Sequence, residues 1–349
     1  MEFPDNIMEF DPSTDARWLS LVSRHPRSSV FHSVQWLDAL RQTYGHGALA
    51  FGRVSPSGEL RSGILFCEIK SWLTGNRLVS LPFSDHCEPL VESSDELRQL
   101  LTTVTGQRKE RDWRYLEIRP VSTQYSLAAA GPYREFAFHQ LDLRPTAEEL
   151  FRKLHVDSIR RKIQKAEKSG LTVKSGRSDD LLADFFRLHV RTRKRQLSPP
   201  HPLAWFRNVL KCLGDSACIR IAYKKQAPAA AVFTLETGTT TVYKYGCSDD
   251  QFHSLGAMPF VLWSMIQEAK RQGKLQLDMG RSDLDNLGLI AFKEKWGAQR
   301  QPLIYSRVPA VGNVLELGAG SGRVSRQLIR RCPDWLLIGV GKLLYPHVG

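Results

Sequence analysis

Residues 275–297, LQLDMGRSDLDNLGLIAFKEKWG, gather side chains whose types and spacing could do chemistry. Leu275, Leu277 and Met279 alternate as a strand requires. Gly280 and Arg281 should end that strand, and Ser282, Asp283, Asp285 and Asn286 supply turn and helix-start groups. A short helix with Leu287, Ile290, Ala291 and Lys293 or Glu294 at its turns should then stop at Gly297. A strand that ends in polar groups and feeds such a helix suits a ligand site at a sheet edge. Arg281 and Asp283 are weaker members of it, because an Arg–Asp pair beside a strand end is often structural. The simpler alternative is that Phe292 and Trp296, one helical turn apart, form a core stripe with Lys293 solvated beside them.

Two basic runs offer a second chemistry. Residues 152–168 carry seven Lys or Arg against Asp157 and Glu167. Ile159, Ile163 and Ala166 recur at helical spacing, which gives a strongly cationic helix with an apolar seam. Residues 185–195 repeat the theme with Phe185, Leu188 and His189 among Arg187, Arg191, Arg193, Lys194 and Arg195. Runs of this kind bind phosphates or simply solvate a face. His189 could act as a base, but a lone histidine on a helix is more often a satisfied core residue.

Composition narrows the classes. At 349 residues with 42% hydrophobic content the chain can bury the core of a two-domain globular protein. A net charge of +13 points to an anionic partner. Six scattered cysteines make no zinc-type pair and fit reduced thiols in the cytoplasm. The acidic N-terminus MEFPDNIMEFD lacks the apolar stretch of a secretory signal, and no apolar run approaches the ~18 residues that span a bilayer. The chain is expected to be cytoplasmic, or peripheral at the inner face of a membrane. The ten histidines contain no HxxxH pair and no GxSxG elbow is present, so neither a metal site nor a serine nucleophile is expected.

The elements that must position these groups recur in order. Helices are expected near 15–23 and 34–44, a strand pair at 48–54 and 60–69, a strand at 77–81, the acidic turn Pro82-Phe83-Ser84-Asp85-His86-Cys87-Glu88-Pro89, a helix near 94–105, and strands at 115–119 and 136–143. Thr146, Glu148 and Glu149, then Phe151 and Leu154, suggest a capped first turn of a helix. The second half repeats this pattern. Strands at 218–223 and 229–235 precede one at 240–245, the acidic turn Gly246-Cys247-Ser248-Asp249-Asp250, a helix at 257–272 and the strand at 275–279. Residue identity between the halves is low, so the repeat is one of pattern.

The segments YKYGCSDDQFHSLGAMPFVLWSMIQEAKRQG and DMGRSDLDNLGLIAFKEKWGA, with SIRRKIQKAEKSGL, RLHVRTRKRQ and LVSLPFSDHCEPLV upstream, resemble the signature of Fem-type acyltransferases. These belong to the GNAT (Gcn5-related N-acetyltransferase) superfamily and include CelD-like acetyltransferases linked to polysaccharide synthesis. The resemblance spans roughly residues 30–310. It implies an α/β (α+β) fold of tandem GNAT-like domains with mixed, largely antiparallel sheets flanked by helices: a degenerate domain at 1–145, an acyltransferase domain at 146–310 and a helical tail at 311–349. It also implies that Arg160, with Arg161 beside it, contacts substrate phosphates, that Lys293 stands near the acyl donor, that Tyr245 ends the strand lining the transfer site, and that Asp85 lies near the acceptor. Lys293, Tyr245 and Asp85 are thus the catalytic candidates. Arg160, Arg161, Arg281, Asp283, Phe292 and Trp296 are the binding candidates.

The GNAT pyrophosphate loop, Gln/Arg-x-x-Gly-x-Gly/Ala, corresponds here to Gln251-Phe252-His253-Ser254-Leu255-Gly256-Ala257, which departs in spacing. The donor implied is therefore acyl-CoA (acetyl-CoA) or an aminoacyl-tRNA, without a metal. The acceptor implied is a nucleotide- or lipid-linked sugar of the cell envelope or an exopolysaccharide. DNA is not an expected partner, and tRNA is one alternative. The rival is a non-catalytic GNAT-like accessory or binding protein of a polysaccharide assembly system.

Val314-Leu-Glu-Leu-Gly-Ala-Gly-Ser-Gly322 imitates the first motif of an S-adenosylmethionine methyltransferase. Only 27 residues follow Gly322, too few to build the rest of such a sheet. The tail sets Arg323, Arg326, Arg330, Arg331 and Lys342 beside Trp335, Leu343 and Leu344. Residues 323–349 could therefore lie on a membrane surface or pack on the protein body.

Overall fold

The computed structural model describes residues 6–107, 110–125, 132–309 and 332–348. The chain divides into two compact units. The first is Met1–Phe136, Pro302–Leu317 and Leu343–Gly349, and the second is Ala137–Gln301 and Gly318–Lys342.

In the first unit β1 (Asn6–Phe10), β2 (Gly47–Val54), β3 (Leu60–Ile69), β4 (Arg77–Val79) and β5 (Tyr115–Ile118) lie side by side in that order, with the later residues of β12 (Gln299–Pro309) next to β5. Only the β4–β5 pair among them is parallel. Helices α1 (Ala16–Arg24), α2 (Val34–Tyr44) and α3 (Ser94–Gly106) each start on a side chain, Asp15, Ser33 or Ser93, that accepts a first-turn amide. Leu97, Leu100, Leu101 and Val104 of α3 then meet Phe51, Ile64, Phe66, Leu116 and Ile118 of the sheet in one buried cluster.

In the second unit β7 (Leu171–Gly176), β8 (Ala217–Lys224), β9 (Ala227–Thr237) and β10 (Thr240–Ser248) are antiparallel, and β11 (Gln276–Asp283) joins β10 in parallel. The later residues of β6 (Pro132–Asp142) follow β11. The parallel register pairs Thr240–Val242 with Gln276–Asp278, and β10 bulges just beyond it, between Tyr243 and Tyr245. Successive residues of a strand face opposite sides. On one side Ala230 and Val232 pack with Ile163 of α5 (Arg161–Lys168) and Val261, Leu262 and Met265 of α8 (Ala257–Arg271). On the other, Phe233 meets Phe185 of α6 (Asp179–Arg195) and Phe206 of α7 (Leu203–Leu213). The capping box of α4 (Ala147–Lys153) is formed by Thr146 and Glu149 as expected. α9 (Leu287–Glu294) follows β11, and α10 (Asp334–Leu344) closes the described chain.

The expected class, a mixed and mostly antiparallel α/β architecture flanked by helices, is the one observed. Several elements went unrecognised. β1, β7, β12 and α7 were not among the expected elements, although Pro202 and Gly214 bracket α7 and Gly170 precedes β7. Gly280 and Arg281 do not end their strand, which runs on to Asp283. There Asp278 Oδ1 accepts the Gly280 amide at 2.7 Å, and Gly280 takes φ +69°, so the irregularity is absorbed within the strand. The methyltransferase-like motif at 314–322 and Arg323, Arg326, Arg330 and Arg331 lie outside the described residues.

Candidate active site in the second unit

The corner between β11 and α9 is built around Lys293. Asn286 opens the helix by accepting the Leu289 amide at 3.2 Å. Lys293 sits one helical turn before Gly297 and is only 2% exposed. Its Nζ donates to the carbonyls of Gly280 at 2.8 Å and Arg281 at 2.9 Å. Those carbonyls belong to the irregular part of β11, and an ammonium that answers both can be buried without an orphaned charge. The solvated Lys293 of the core-stripe alternative is thus corrected: the lysine is inside, fastening helix to strand. Trp296 is buried core, and Phe292, half-buried, meets it edge-on with ring centroids 6.3 Å apart.

Phe292 also faces a cavity of about 310 Å³ lined by Ser158, Ile159, Lys162, His253, Met258, Pro259, Gly288, Phe292 and Lys295. This cavity opens beside the start of α8, where the amides of the first turn have no partner within the helix. Gly256 makes the close approach possible. It has φ +76°, and a Cβ there would lie 2.4 Å from the Lys162 carbonyl. The loop 251–257 therefore brings α8 against α5 so that Lys162 and Lys295 border one space with Met258, Pro259 and Phe292. Neither lysine makes an ion pair among the described residues. His253 bonds Ser248 Oγ through Nε2 at 2.9 Å, and burial, then Arg195, hold its pKa below the ordinary histidine value. An apolar wall, two cations and a helix N-terminus suit a molecule with a phosphate at one end.

Arg160 is placed one residue from the lining residue Ile159. It ends a π-helical turn, Val156–Arg160, opened by His155, whose Nδ1 accepts the Ser158 amide at 3.2 Å. Such turns are frequent at functional positions. The Arg160 Nε is buried and makes no hydrogen bond. Arg161, by contrast, is exposed and paired with Asp157 at 2.7 Å across one helical turn. Arg281 is half-buried and Asp283 exposed, both at the end of β11.

Tyr245 follows the β10 bulge and enters an aromatic box with Trp205, Phe206, His189 and His201. Its hydroxyl accepts from Trp205 Nε1 at 2.8 Å, and its ring centroid is 5.9 Å from that of His189 and 5.8 Å from that of His201. Burial is the main force pushing the His189 pKa down to about 3, and it also drives that of His201 well below the ordinary range, so both are neutral. His189 is a core residue as expected, but not a satisfied one, since its buried Nε2 makes no hydrogen bond.

Asp85 belongs to the first unit, half-buried in the acidic turn after β4, where its carbonyl accepts from Tyr305 Oη at 2.6 Å. Among the sequence-expected residues the cavity contains Phe292 and stands next to Arg160 in the chain. Lys293, Tyr245, Trp296, Arg161, Arg281 and Asp283 do not line it. Lys162, His253, Met258 and Lys295 line it without having been singled out. Their signals were present: Lys162 in the first basic run, Lys295 in FKEKWG, His253 within the loop compared with the pyrophosphate motif and Met258 just after it. No group of three or more potential metal ligands occurs among the described residues.

Residues 153–294 match the family Acetyltransferase (GNAT) domain. A search of curated proteins finds no match to the chain. Among solved structures the chain is similar to FemX, at 16% identity and TM-score 0.66, covering 86% of this chain and 96% of that one. It is also similar to a tandem GNAT protein from the clavulanic acid biosynthesis pathway, at 13% identity and TM-score 0.57, covering 88% and 99%. L-PGS from Bacillus licheniformis matches at 14% identity and TM-score 0.53, covering 91% and 96%. Residues 153–294 are therefore a GNAT acyltransferase domain, set in a chain with the Fem-type tandem GNAT fold.

Proposed function

We propose that the protein transfers an acyl or aminoacyl group from a phosphate-bearing donor, an acyl-CoA or an aminoacyl-tRNA, to an amine on a nucleotide- or lipid-linked sugar precursor of the cell envelope or an exopolysaccharide. The observation that carries this reading is the cavity at the start of α8, with Lys162 and Lys295 at its border and Phe292 and Met258 in its wall. The cell-envelope class of acceptor is what the resemblance of the sequence motifs to Fem-type acyltransferases implies.

In this reading the amine lone pair attacks the acyl carbon, the C–S or C–O bond breaks, and the thiolate or ribose oxygen leaves. Lys162 and Lys295 hold donor phosphates, and Arg160 extends that cationic edge. Tyr245 protonates the leaving group through its hydroxyl. The attacking amine gives up its proton to solvent. Lys293 positions the carbonyls of Gly280 and Arg281 and sets the end of β11 against α9. No metal is needed for this chemistry.

The test is the Lys162→Ala/Lys295→Ala double variant. Losing two charge-assisted phosphate contacts should raise KM for a CoA thioester, or Kd for coenzyme A itself, about tenfold or more, while kcat changes little. Wild-type affinity should weaken as salt rises. Unchanged CoA affinity and unchanged tRNA affinity in the double variant would reject the cavity as the donor site.

A further inference from the structure

The exposed large apolar side chains are unevenly distributed. Among the described residues there are thirteen, and eight of them fall within residues 72–73 and 335–348. Scattered single exposures would be ordinary, but concentration in two short segments points to a contact surface.

In the first unit the turn between β3 and β4 presents Trp72, 86% exposed, and Leu73. The chain end is fastened to this turn. Thr74 Oγ1 and Arg77 Nη2 donate to the His347 carbonyl at 3.0 and 2.8 Å, Ser71 Oγ bonds His347 Nδ1 at 3.0 Å, and the Trp72 ring meets His347 edge-on at 5.6 Å. Leu343, 73% exposed, and Val348 are thereby held in a built structure that leaves them open to solvent. Lys70, largely exposed, and Arg114 border the same turn.

In the second unit the preceding turns of α10 are anchored by their other side. Leu337 is buried, Lys194 Nζ meets Asp334 at 2.8 Å, and Gly341 packs so close that a Cβ would stand 2.1 Å from the Pro200 carbonyl. Helical geometry then forces Trp335, Leu336 and Val340 outward, where they are exposed.

We propose that these segments dock the protein on an anionic bilayer surface. The chemistry favours lipid as the occupant. Tryptophan and leucine settle at the boundary of headgroups and acyl chains, while lysine and arginine beside them meet lipid phosphates. Lys70, Arg114 and Lys342 supply those charges, on a chain of net charge +13. Each segment sets apolar side chains beside basic ones, and so by itself meets the requirement that stable peripheral binding use more than one signal. No helix among the described residues is long and apolar enough to cross a membrane, so the contact is superficial. It is independent of the acyl-transfer reading, because vesicle binding needs no turnover.

Flotation with vesicles of phosphatidylcholine plus phosphatidylglycerol, against phosphatidylcholine alone, provides the test. The full chain should bind the anionic vesicles preferentially, with a blue shift of tryptophan emission and weaker binding at high salt. Trp72→Ser/Leu73→Ser and Trp335→Ser/Leu343→Ser should each bind at least about tenfold more weakly. Both pairs change exposed side chains, so the melting temperature should stay near wild type. Failure of the wild type to bind anionic vesicles, or equal binding by folded variants, would overturn the proposal. So would a wild-type dimer that Trp72→Ser/Leu73→Ser converts to a monomer without any vesicle binding, since a second copy would then cover the surface.

Discussion

The two units bury charge in opposite ways. In the first, Glu117 and Arg119 occupy the same face of the chain leaving β5, and the β5–β12 register puts Arg307 directly across from Glu117. Arg119 meets Glu117 at 2.7 Å, and Arg307 Nε donates to its other oxygen at 2.7 Å. Burial alone would raise the Glu117 carboxyl, but the two guanidinium groups hold it below the usual range. Arg119 also donates to the carbonyls of Leu81 at 2.8 Å and Ser84 at 3.4 Å, within a turn where Leu81 and Phe83 have φ of +47° and +59°. A loop with two non-glycine residues in the left-handed region persists only when its surroundings over-determine it. In the second unit Lys293 is likewise spent on carbonyls, but Lys162 and Lys295 border an open cavity without an ion pair among the described residues. The lesson is that one unit closes its charges on themselves to hold a turn, while the other keeps cations available beside a helix N-terminus.

That contrast can be broken most forcefully at Glu117. Glu117→Gln leaves Arg119 and Arg307 buried beside a neutral amide and should cost about 3–5 kcal/mol. Denaturant unfolding would read this directly, and a loss under 1 kcal/mol would show that the triad is not holding the turn.

Acid comes next. Burial pushes His32 down to about 4, against the opposing pull of its hydrogen bonds to the Glu88 carbonyl at 2.8 Å and the Ser29 amide at 3.0 Å. A folded pKa below the unfolded ~6.5 means that the contribution is complete above pH ~6.5 and lost as pH falls towards the folded value. For His32 this is about 3 kcal/mol across that window. His46, also about 4, and His189, about 3, act in the same direction, so acid should weaken both units. Stability curves that stay flat between pH 6.5 and 4 would contradict the neutral buried imidazoles.

Lys293→Met keeps the volume but leaves the Gly280 and Arg281 carbonyls without their donor. The expected loss is about 2 kcal/mol, with activity falling through displacement of the corner. A melting curve measured beside turnover separates the two effects, and an unchanged melting temperature would mean that the carbonyls find other partners.

The smallest effect is the sharpest discriminator. Lys162→Ala/Lys295→Ala should change stability by less than about 0.5 kcal/mol, because neither lysine makes an ion pair among the described residues. Thermal unfolding that drops as much as Glu117→Gln would erase the distinction between the units.

Much of this organisation was legible in residues 1–309. Alternation and capping side chains marked Val34–Tyr44 and Leu60–Ile69 at their observed bounds, and the Thr146–Glu149 box is local by nature. Periodicity also identified the seam of Ile159, Ile163 and Ala166, all buried. These features depend on neighbours one or two turns away, so sequence determines them. Lys293 is different. Whether a lysine is solvated or buried depends on carbonyls twelve and thirteen residues back, exposed to it only because Gly280 distorts β11. The cavity is likewise a product of packing: Lys162, Met258 and Lys295 become neighbours because Gly256 lets α8 approach the α5 backbone. Sequence set the residue types and their local conformations, while tertiary packing decided which cations would be answered by carbonyls and which would border open space.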